Sequence, residues 1–390
     1  MTKANGVPLD FRSRANLLTL HFGFAFTGVM VVLLGSILPR FTAQLHINDA
    51  QAGLLMMAQF VASAVGALFV RKHLWQTLRA GYHLQVLAAL GVVFAPLHFL
   101  PIFFALLGLS LGVLMTTTTI LVGRISTVRK GAALAILNVY WSIGAVLGPA
   151  LVSRLPATIN CRYAYIPAIV VSLFAEIGLY RPLPRPAQTA NALAAPTAPL
   201  LRLIAYSSAI AFLYVGVEAS LGNWITTYLH RNMASTFERS TISLGCFWAT
   251  LLVGRLLTPI LLRRMREDTL CLLASGVAAA GVASMLFAHS AGLFLAEIVL
   301  TGLALAPLYP LIISAFLVRA GDTPNAGWVF TMAGCGGGVV SWLTGEVSTH
   351  TGSLRWGLLV PAIAAFLLLL LTLLGRDQEV AEFPERTNAT

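Results

Sequence analysis

Long apolar runs follow one another along this whole sequence, and they limit what the chain can fold into more than any other feature. Dividing the runs at charges, prolines and glycine clusters gives twelve candidate helices. A helix needs about 20 mostly apolar residues to cross a bilayer, so the sequence predicts an all-α membrane protein with twelve transmembrane helices. The predicted spans are 17–38, 51–70, 82–99, 101–123, 132–153, 163–180, 203–229, 241–262, 269–287, 291–317, 325–347 and 354–374.

The overall composition excludes the soluble classes of protein. Hydrophobic residues make up 58% of the 390 residues and charged residues only 10%, whereas a soluble domain has about 25% charged residues. A soluble enzyme, a disordered scaffold and a secreted disulfide-rich protein are therefore excluded. The net charge of +11 is better explained by loops that face the cytoplasm than by a nucleic-acid partner, because Lys and Arg collect in such loops.

The positions of the basic residues predict how the chain is inserted in the bilayer. With the N-terminus in the cytoplasm, 18 Lys and Arg residues fall on the cytoplasmic side and six on the other side, while Arg255 lies inside helix 8. This bias alternates loop by loop, in agreement with the positive-inside rule. We therefore expect a multi-pass protein of the bacterial inner (plasma) membrane with both termini in the cytoplasm.

A polar, Pro-rich stretch at 181–199 divides the predicted helices into two sets of six. The predicted domains are a bundle at 1–180, the linker at 181–199, a second bundle at 200–376 and a polar tail at 377–390. Weak self-similarity at a separation of about 190 residues joins the two sets. The matching positions are Gly66 with Gly254, Gly144–Gly148 with Gly334–Gly338, and Gly35–Pro39 with Gly222–Thr226. Two pseudo-symmetric six-helix bundles are typical of a secondary transporter, whose site lies between them near the midplane.

Small residues cluster at matching places in helices 5 and 11. Helix 5 contains GAVLGP, with Gly144, Gly148 and Pro149, and helix 11 contains GCGGG, with Gly334 and Gly338 at its ends. Small residues at i and i+4 allow two helix backbones to approach closely. The clusters are either static packing contacts or sliding contacts between the bundles, and their matching positions favour sliding contacts.

These glycine motifs resemble those of the major facilitator superfamily. The GxxxGP of helix 5 resembles its motif C, and GALFVR (66–71) and GRLLTPILLRR (254–264) resemble eroded copies of its motif A. The acid that motif A normally has at the cytoplasmic end of helix 2 is absent from this sequence. The resemblance implies the major facilitator fold, alternating access and a monomer.

Further segments resemble the sugar-transporting branch that includes the fucose:proton symporters. They are FAFTG (24–28), LGSILPRF (34–41), AQF (58–60), LNVYWSIGAVLGP (137–149), FLYVGVEASLGNWITTYL (212–229), GLALAPLYP (302–310) and GSLRWGLLVP (352–361). The resemblance implies a secondary active transporter of a monosaccharide. Helix 1 contains no Asp or Glu, so the first-helix acid of that branch has no counterpart here and the coupling cannot be carried over from it. We predict a proton symporter from acids elsewhere in the spans, with sodium as the alternative coupling ion.

Two acids inside the predicted spans are candidates for proton coupling. Glu218 in helix 7 is the deepest, and Gly216, Ser220 and Gly222 leave space beside it for water or a ligand. An ionisable group inside a span is costly and therefore indicates function, and a carboxyl in a partly dry place can exchange a proton near neutral pH. Glu297 in helix 10 is the second candidate. For each acid the alternative is a neutral carboxyl hydrogen-bonded to a neighbouring helix.

Two other charged residues near the membrane need partners. Arg255 in helix 8 either extends towards the inner surface or neutralises an acid of a neighbouring helix, and we assign it a conformational role. A role in binding the substrate is the alternative. Glu176 is expected to pair with Arg181, one turn away at the inner surface.

Polar and aromatic residues inside the spans supply what a sugar site requires, namely hydrogen-bond partners for hydroxyls and flat faces for the ring. A Trp or Tyr in a span can instead face lipid or the interface, whereas the amides of Gln59 and Asn138 need a polar partner in hydrocarbon. The predicted solute-binding residues are Gln59, Asn138, Trp141, Tyr214, Asn223, Trp224, Phe247, Trp248, Tyr309 and Trp328.

Motifs for other chemistries are missing from the sequence. It has no phosphate-binding loop, no HExxH pair and no GxSxG elbow, so we expect no enzyme activity, no cofactor and no metal, and an ion gradient as the energy source. The alternative to a sugar symporter is a proton-coupled multidrug or metabolite exporter of the same superfamily, which would have a wider and more apolar cavity. A membrane sensor or intramembrane enzyme is a further alternative, but no nucleophile and base pair supports it.

Overall fold

A computed structural model describes residues 11–70, 73–125, 130–178, 198–320 and 326–382, and every regular element in these ranges is helical. Short 3-10 turns at Leu97–Phe99 and Cys161–Tyr165 lead into the fourth and sixth α-helices. The α-helices are α1 (Phe11–Leu45), α2 (Asp49–Leu68), α3 (Leu74–Phe94), α4 (Leu100–Ile125), α5 (Lys130–Ser153), α6 (Ile166–Gly178), α7 (Ala198–Asn232), α8 (Phe237–Leu261), α9 (Glu267–Met285), α10 (Ala291–Leu305), α11 (Leu308–Ala320), α12 (Ala326–Thr351), α13 (Leu354–Gly357) and α14 (Leu359–Glu382). Most of the predicted linker (181–199) and the end of the predicted tail (377–390) lie outside the described ranges.

Eleven helical segments in the described ranges are long and apolar enough to cross a membrane. The helix α12 has 26 residues, but it is not among the eleven. The prediction of an all-α membrane protein is therefore confirmed, while a twelfth span remains a prediction.

The start of α3 differs from the sequence-based bounds. The helix begins at Leu74, whereas the sequence predicted 82, because Arg79 was assigned to a loop. In the structure Arg79 lies within α3 and donates to the Glu176 carboxylate at 3.1 Å, and His83 is 2.8 Å from the same oxygen. Glu176 thus has partners from α3 that the sequence did not predict, and the expected pair with Arg181 lies outside the described ranges.

A proline divides the predicted span 291–317 into α10 and α11. The amide of Ala306 still donates to the Gly302 carbonyl at 3.2 Å. Pro307 follows and has no N–H with which to continue the helical hydrogen bonds. The break places Tyr309 in the first turn of α11.

Equivalent helices make equivalent contacts in the two halves of the chain. In the first half (α1–α6), α2 packs against α4 and α1 against α5; in the second half (α7–α14), α8 packs against α10 and α7 against α12. A side chain at Gly66 would collide with the Leu109 carbonyl of α4, and one at Gly254 would collide with Ala306, just after α10. The matching glycines found in the sequence therefore occupy corresponding helix contacts.

The two halves meet mainly through three helix pairs, α2 with α12, α5 with α8 and α1 with α7. In the first pair, a Cβ at Gly334 would lie 2.9 Å from the Ala64 Cβ, and a Cβ at Gly338 would lie 3.2 Å from the Met57 Cα. In the third pair, a Cβ at Gly35 would lie 2.5 Å from the Gly222 carbonyl oxygen. Close backbone approach therefore joins the halves.

The glycines of helix 5 have a different position from the one predicted. A side chain at Gly144 would collide with the Ala25 carbonyl of α1, and a Cβ at Gly148 would lie 2.9 Å from the Val32 side chain, also in α1. These two glycines therefore pack α5 against its own half, and the prediction of a sliding contact between halves is wrong for them. Pro149, by contrast, lies beside Gly245 of α8.

One end of the molecule is closed by polar contacts between the halves. The Asp49 carboxylate, at the start of α2, accepts from Arg231 of α7 at 2.7 Å and from Ser348 of α12 at 2.6 Å. Arg231 also donates to the Thr42 hydroxyl of α1 at 2.9 Å. We call Thr42, Asp49, Arg231 and Ser348 the Asp49 cluster.

Candidate functional site

A buried ion pair lies where α5, α7 and α8 meet. The guanidinium of Arg255 donates through Nη2 to Oε1 of Glu218 at 2.8 Å, and Nη1 is 3.4 Å from the Ser142 hydroxyl. The Glu218 side chain is 11% exposed and that of Arg255 is 23% exposed. Because Ser142 belongs to the first half of the chain and the charged residues belong to the second, the pair lies at the junction of the halves.

Helix periodicity places the neighbouring groups around this pair. Tyr214, Glu218 and Gly222 are four residues apart in α7, so they share one face of the helix. Trp248 and Arg255 are two turns apart on α8 and likewise share a face. A Cβ at Gly222 would lie 2.7 Å from the Trp248 ring, so the glycine makes room for that ring one turn beyond Glu218.

Two aromatic pairs flank the ion pair. Trp141 of α5 and Trp248 of α8 pack edge to face with their ring centroids 5.7 Å apart. Tyr214 of α7 and Tyr309 of α11 are stacked with centroids 5.5 Å apart, and both tyrosines lie within electrostatic reach of Glu218 and Arg255. These four rings therefore line two sides of the ion pair, and we call them the aromatic wall.

Two buried polar atoms in this wall lack a hydrogen-bond partner among the described residues. They are Nε1 of Trp141 and Nε1 of Trp248, whereas Tyr214 is a hydrogen-bonding neighbour of both Glu218 and Arg255. Buried donors are normally satisfied, so two unsatisfied donors at one place require an explanation. A bound solute with oxygen acceptors, or water, can satisfy both.

The ion pair itself has an electrostatic reason to form. A single charge inside a membrane span is costly, and pairing opposite charges lowers that cost. Arg255 thus neutralises an acid of a neighbouring helix, which is one of the roles that the sequence suggested. Ser142 was not foreseen, because a lone hydroxyl in an apolar helix gives no signal of the partner that it will meet.

Three of the predicted solute-binding residues have positions that do not favour binding. Asn223 donates to the Ser341 hydroxyl and Trp224 Nε1 to the Ser341 carbonyl, both at 3.0 Å. Their donors are therefore used in packing α7 against α12. Trp328, near the start of α12, is 57% exposed and lies outside the aromatic wall.

Of the remaining predicted residues, only Phe247 adjoins the wall, through a ring contact with Trp248 at 5.3 Å. Gln59 is buried on the face of α2 that packs against α4, and its Oε1 has no partner in the described part of the chain. Asn138 is exposed and donates to the Leu134 carbonyl of its own helix at 3.1 Å. Glu297 in α10 lies near Ser284 of α9, and no contact joins it to Glu218 in the described structure.

Two cavities lie away from the ion pair. One, of about 100 Å³, lies between α7, α9, α11 and α14 and is lined by residues that include Tyr206, Cys271 and Arg319. The other, of about 440 Å³, is open to the outside of the molecule, and its lining includes Asp49, Arg231 and Ser348 of the Asp49 cluster. Within the described ranges no group of three His, Cys, Asp or Glu side chains is placed to hold a metal.

The family model described as Major Facilitator Superfamily matches residues 20–326, which is most of the chain. No curated protein matches the sequence.

Solved structures with the same fold include three of that superfamily's transporters. FucP in the outward conformation has a TM-score of 0.63 and 18% identity, covering 92% of this chain and 97% of its own. A variant of the E. coli fucose:proton symporter has a TM-score of 0.61 and 15% identity, with 93% and 97% coverage. A D-xylose-proton symporter has a TM-score of 0.70 and 12% identity, with 93% and 96% coverage. The family match and the shared helical fold together show that this chain belongs to the major facilitator superfamily.

Proposed function

We propose that this protein is a proton-coupled secondary transporter of a small polar solute of the monosaccharide class, working by alternating access. The observation that carries the proposal is the Glu218–Arg255 ion pair, which lies between two aromatic pairs at the junction of the halves. The solved structures that share the fold include a fucose:proton symporter and a D-xylose-proton symporter. Their names support the solute class and the coupling ion.

The proposed architecture is twelve spans in two pseudo-symmetric six-helix bundles, with α12 as the eleventh span. The equivalent contacts of Gly66 and Gly254 support this arrangement. We place both termini in the cytoplasm of a bacterial cell, so that the Asp49 cluster faces the opposite side. The protein then acts as a monomer in its inner membrane, with the described conformation closed at the outer end.

The groups around Glu218 suggest how binding and protonation are linked. The free Nε1 groups of Trp141 and Trp248 can donate to solute oxygens, and the aromatic faces can cover the apolar face of a sugar ring. Trp141 comes from the first half and Trp248 from the second. A solute held between them contacts both halves, and only such differential contact can shift the balance between two conformations.

The experiment is solute accumulation in proteoliposomes with an imposed pH gradient. Glu218→Gln is expected to abolish uphill accumulation and to retain the exchange of preloaded solute, since the amide cannot cycle a proton. Glu238→Gln, which changes an exposed acid at the start of α8, is the matched control and is expected to accumulate solute normally. Normal accumulation by Glu218→Gln would end the proposal.

A proton-coupled exporter of drugs or metabolites is the second candidate. The four aromatic rings around the ion pair favour it, because flat apolar surfaces also bind hydrophobic cations. Inverted membrane vesicles distinguish the candidates: an exporter accumulates its solute in them when the interior is acidic, whereas a sugar symporter loses solute from them along with protons.

A further inference from the structure

The positive charge of Arg255 has a single carboxylate to neutralise it. Glu218 is the only acid within salt-bridge distance of Arg255 in the described ranges. The other groups that face the pair are neutral when protonated normally: Ser142 from α5, Tyr214 from α7 and Tyr309 from α11. Trp248 adds an indole from α8. When Glu218 takes a proton, Arg255 therefore becomes a buried cation without a counter-ion.

A buried charge that loses its partner is strongly unfavourable, so the protonated site favours whatever restores the negative charge. A neutral sugar cannot do so. A solute carboxylate can, and it then replaces the carboxylate that Glu218 has lost. The exchange keeps the site neutral, because one proton enters with one anion.

The geometry of Arg255 fits a second carboxylate. A guanidinium presents parallel N–H groups that match the two oxygens of a carboxylate. In the structure Nη2 donates to Glu218 at 2.8 Å, Nη1 is 3.4 Å from the Ser142 hydroxyl, and Tyr214 is a further hydrogen-bonding neighbour of Arg255. Contacts with neutral hydroxyls are weaker than a charge-assisted bond, so a solute carboxylate can displace them from the guanidinium.

Beyond the guanidinium, the site provides donors for hydroxyl groups. Nε1 of Trp141 and Nε1 of Trp248 are buried without partners in the described part of the chain. Both are donors only, so they select oxygen acceptors. A solute with one carboxylate and several hydroxyls satisfies the guanidinium and the two indoles together.

We propose that the solute is a monosaccharide acid, carried with one proton, and that Arg255 binds its carboxylate while Glu218 holds the proton. This inference rests on the proposed function, and it narrows the solute from sugars in general to those that carry a negative charge. Arg255 keeps its charge throughout. The transported pair, one anion and one proton, has no net charge.

The first test is solute binding to the purified protein. The change in tryptophan fluorescence measures the binding of three probes, D-gluconate, D-glucuronate and D-glucose. We expect at least tenfold tighter binding of one of the acids than of D-glucose at pH 5.5, and an affinity for that acid that falls as the pH is raised to 8, because an ionised Glu218 competes with the solute for Arg255. Glu218→Gln should bind the acid tightly at both pH values. Equal binding of D-glucose and the acids by the wild type would overturn the inference.

The double variant Glu218→Gln/Arg255→Gln guards against misfolding, because it removes both charges and leaves no unpaired ion. It is expected to lose at least tenfold in affinity for the acid relative to Glu218→Gln, and unchanged affinity would contradict the role of Arg255. Glu238→Gln serves as the control and should bind as the wild type does.

Transport in proteoliposomes separates this inference from the proposed function. A sugar acid moving with one proton is driven by a pH gradient and is insensitive to a membrane potential set with potassium and valinomycin. Uptake of D-glucose driven by the potential, and not inhibited by the acids, would refute the inference and leave the proposed function standing. Absence of proton-coupled flux with all three probes would count against both.

Discussion

The guanidinium of Arg231 in α7 lies 2.7 Å from the carboxylate of Asp49 at the start of α2, so one ion pair joins the two halves of the chain at their closed end. Asp49 is a buried residue, whereas the Arg231 side chain is 39% exposed. Ser348 of α12 completes the set by donating to the second carboxylate oxygen at 2.6 Å. Opening this end requires all of these contacts to break.

Arg231→Gln is expected to favour opening at the Asp49 cluster. Because Arg231 is partly exposed, the contribution of the pair is about 1 kcal/mol, or about a fivefold shift between closed and open forms. Labelling of Ser348→Cys by a membrane-impermeant maleimide measures this, since Ser348 is buried in the closed form. The same variant in an Arg239→Gln background is the control, because Arg239 is an exposed residue near this end. Equal labelling rates in all backgrounds would show that the pair does not hold the end closed.

Gly35→Ala is expected to destabilise the protein at the contact between α1 and α7. The added methyl would lie 2.5 Å from the Gly222 carbonyl oxygen, and overpacking of this kind costs about 1–3 kcal/mol. A lower melting temperature in detergent is the expected result. Gly292→Ala is the matched control, since its Cβ would have no atom within 4 Å. Similar melting temperatures for the two variants would contradict the close contact.

Trp141→Phe and Trp248→Phe test the unsatisfied indole donors. Each change keeps an aromatic ring and removes one N–H, so each should weaken solute binding by the value of one hydrogen bond, about 0.5–1.5 kcal/mol, or about two- to tenfold in KM. Trp328→Phe should have no effect, because that indole is exposed and distant from the wall. If only Trp328→Phe lost affinity, the result would show that the solute binds near the start of α12 and not at the aromatic wall.

Glu297→Gln is expected to accumulate solute to within about twofold of the wild type. Its carboxyl lies near Ser284 of α9 and has no contact with Glu218, so removing its charge should leave proton coupling intact. Accumulation ratios at several pH gradients provide the measurement. Loss of uphill transport would instead show that Glu297 takes part in proton coupling, as the sequence suggested.

Much of the fold follows from patterns that the sequence shows directly. Apolar runs locate the helices because each must satisfy its own backbone in lipid, and the paired glycines locate equivalent helix contacts. The start of α3 was missed because the charge of Arg79 is compensated by Glu176, which lies 97 residues further along. A local sequence pattern around Arg79 does not show a partner that is so far away in the sequence.

The candidate site was predictable only in part, for a similar reason. Glu218 is conspicuous as an acid within an apolar run, and Arg255 as a base within another. The direction in which an amide points depends on packing between helices, so Asn223 was expected to bind solute but instead donates to Ser341. Gly144 was likewise assigned to the wrong neighbour, because a small residue does not reveal which of several helices approaches it.

The contact between Gly35 and Gly222 has a mechanical consequence. The absence of a side chain at Gly35 lets the backbone of α1 lie against the Gly222 carbonyl of α7, and the two positions match in the internal repeat. In the proposed alternating-access cycle, points near the centre of rotation move least and points at the ends of the helices move farthest. We therefore expect this backbone contact to persist while the Asp49 cluster separates, and to act as the hinge between the two halves.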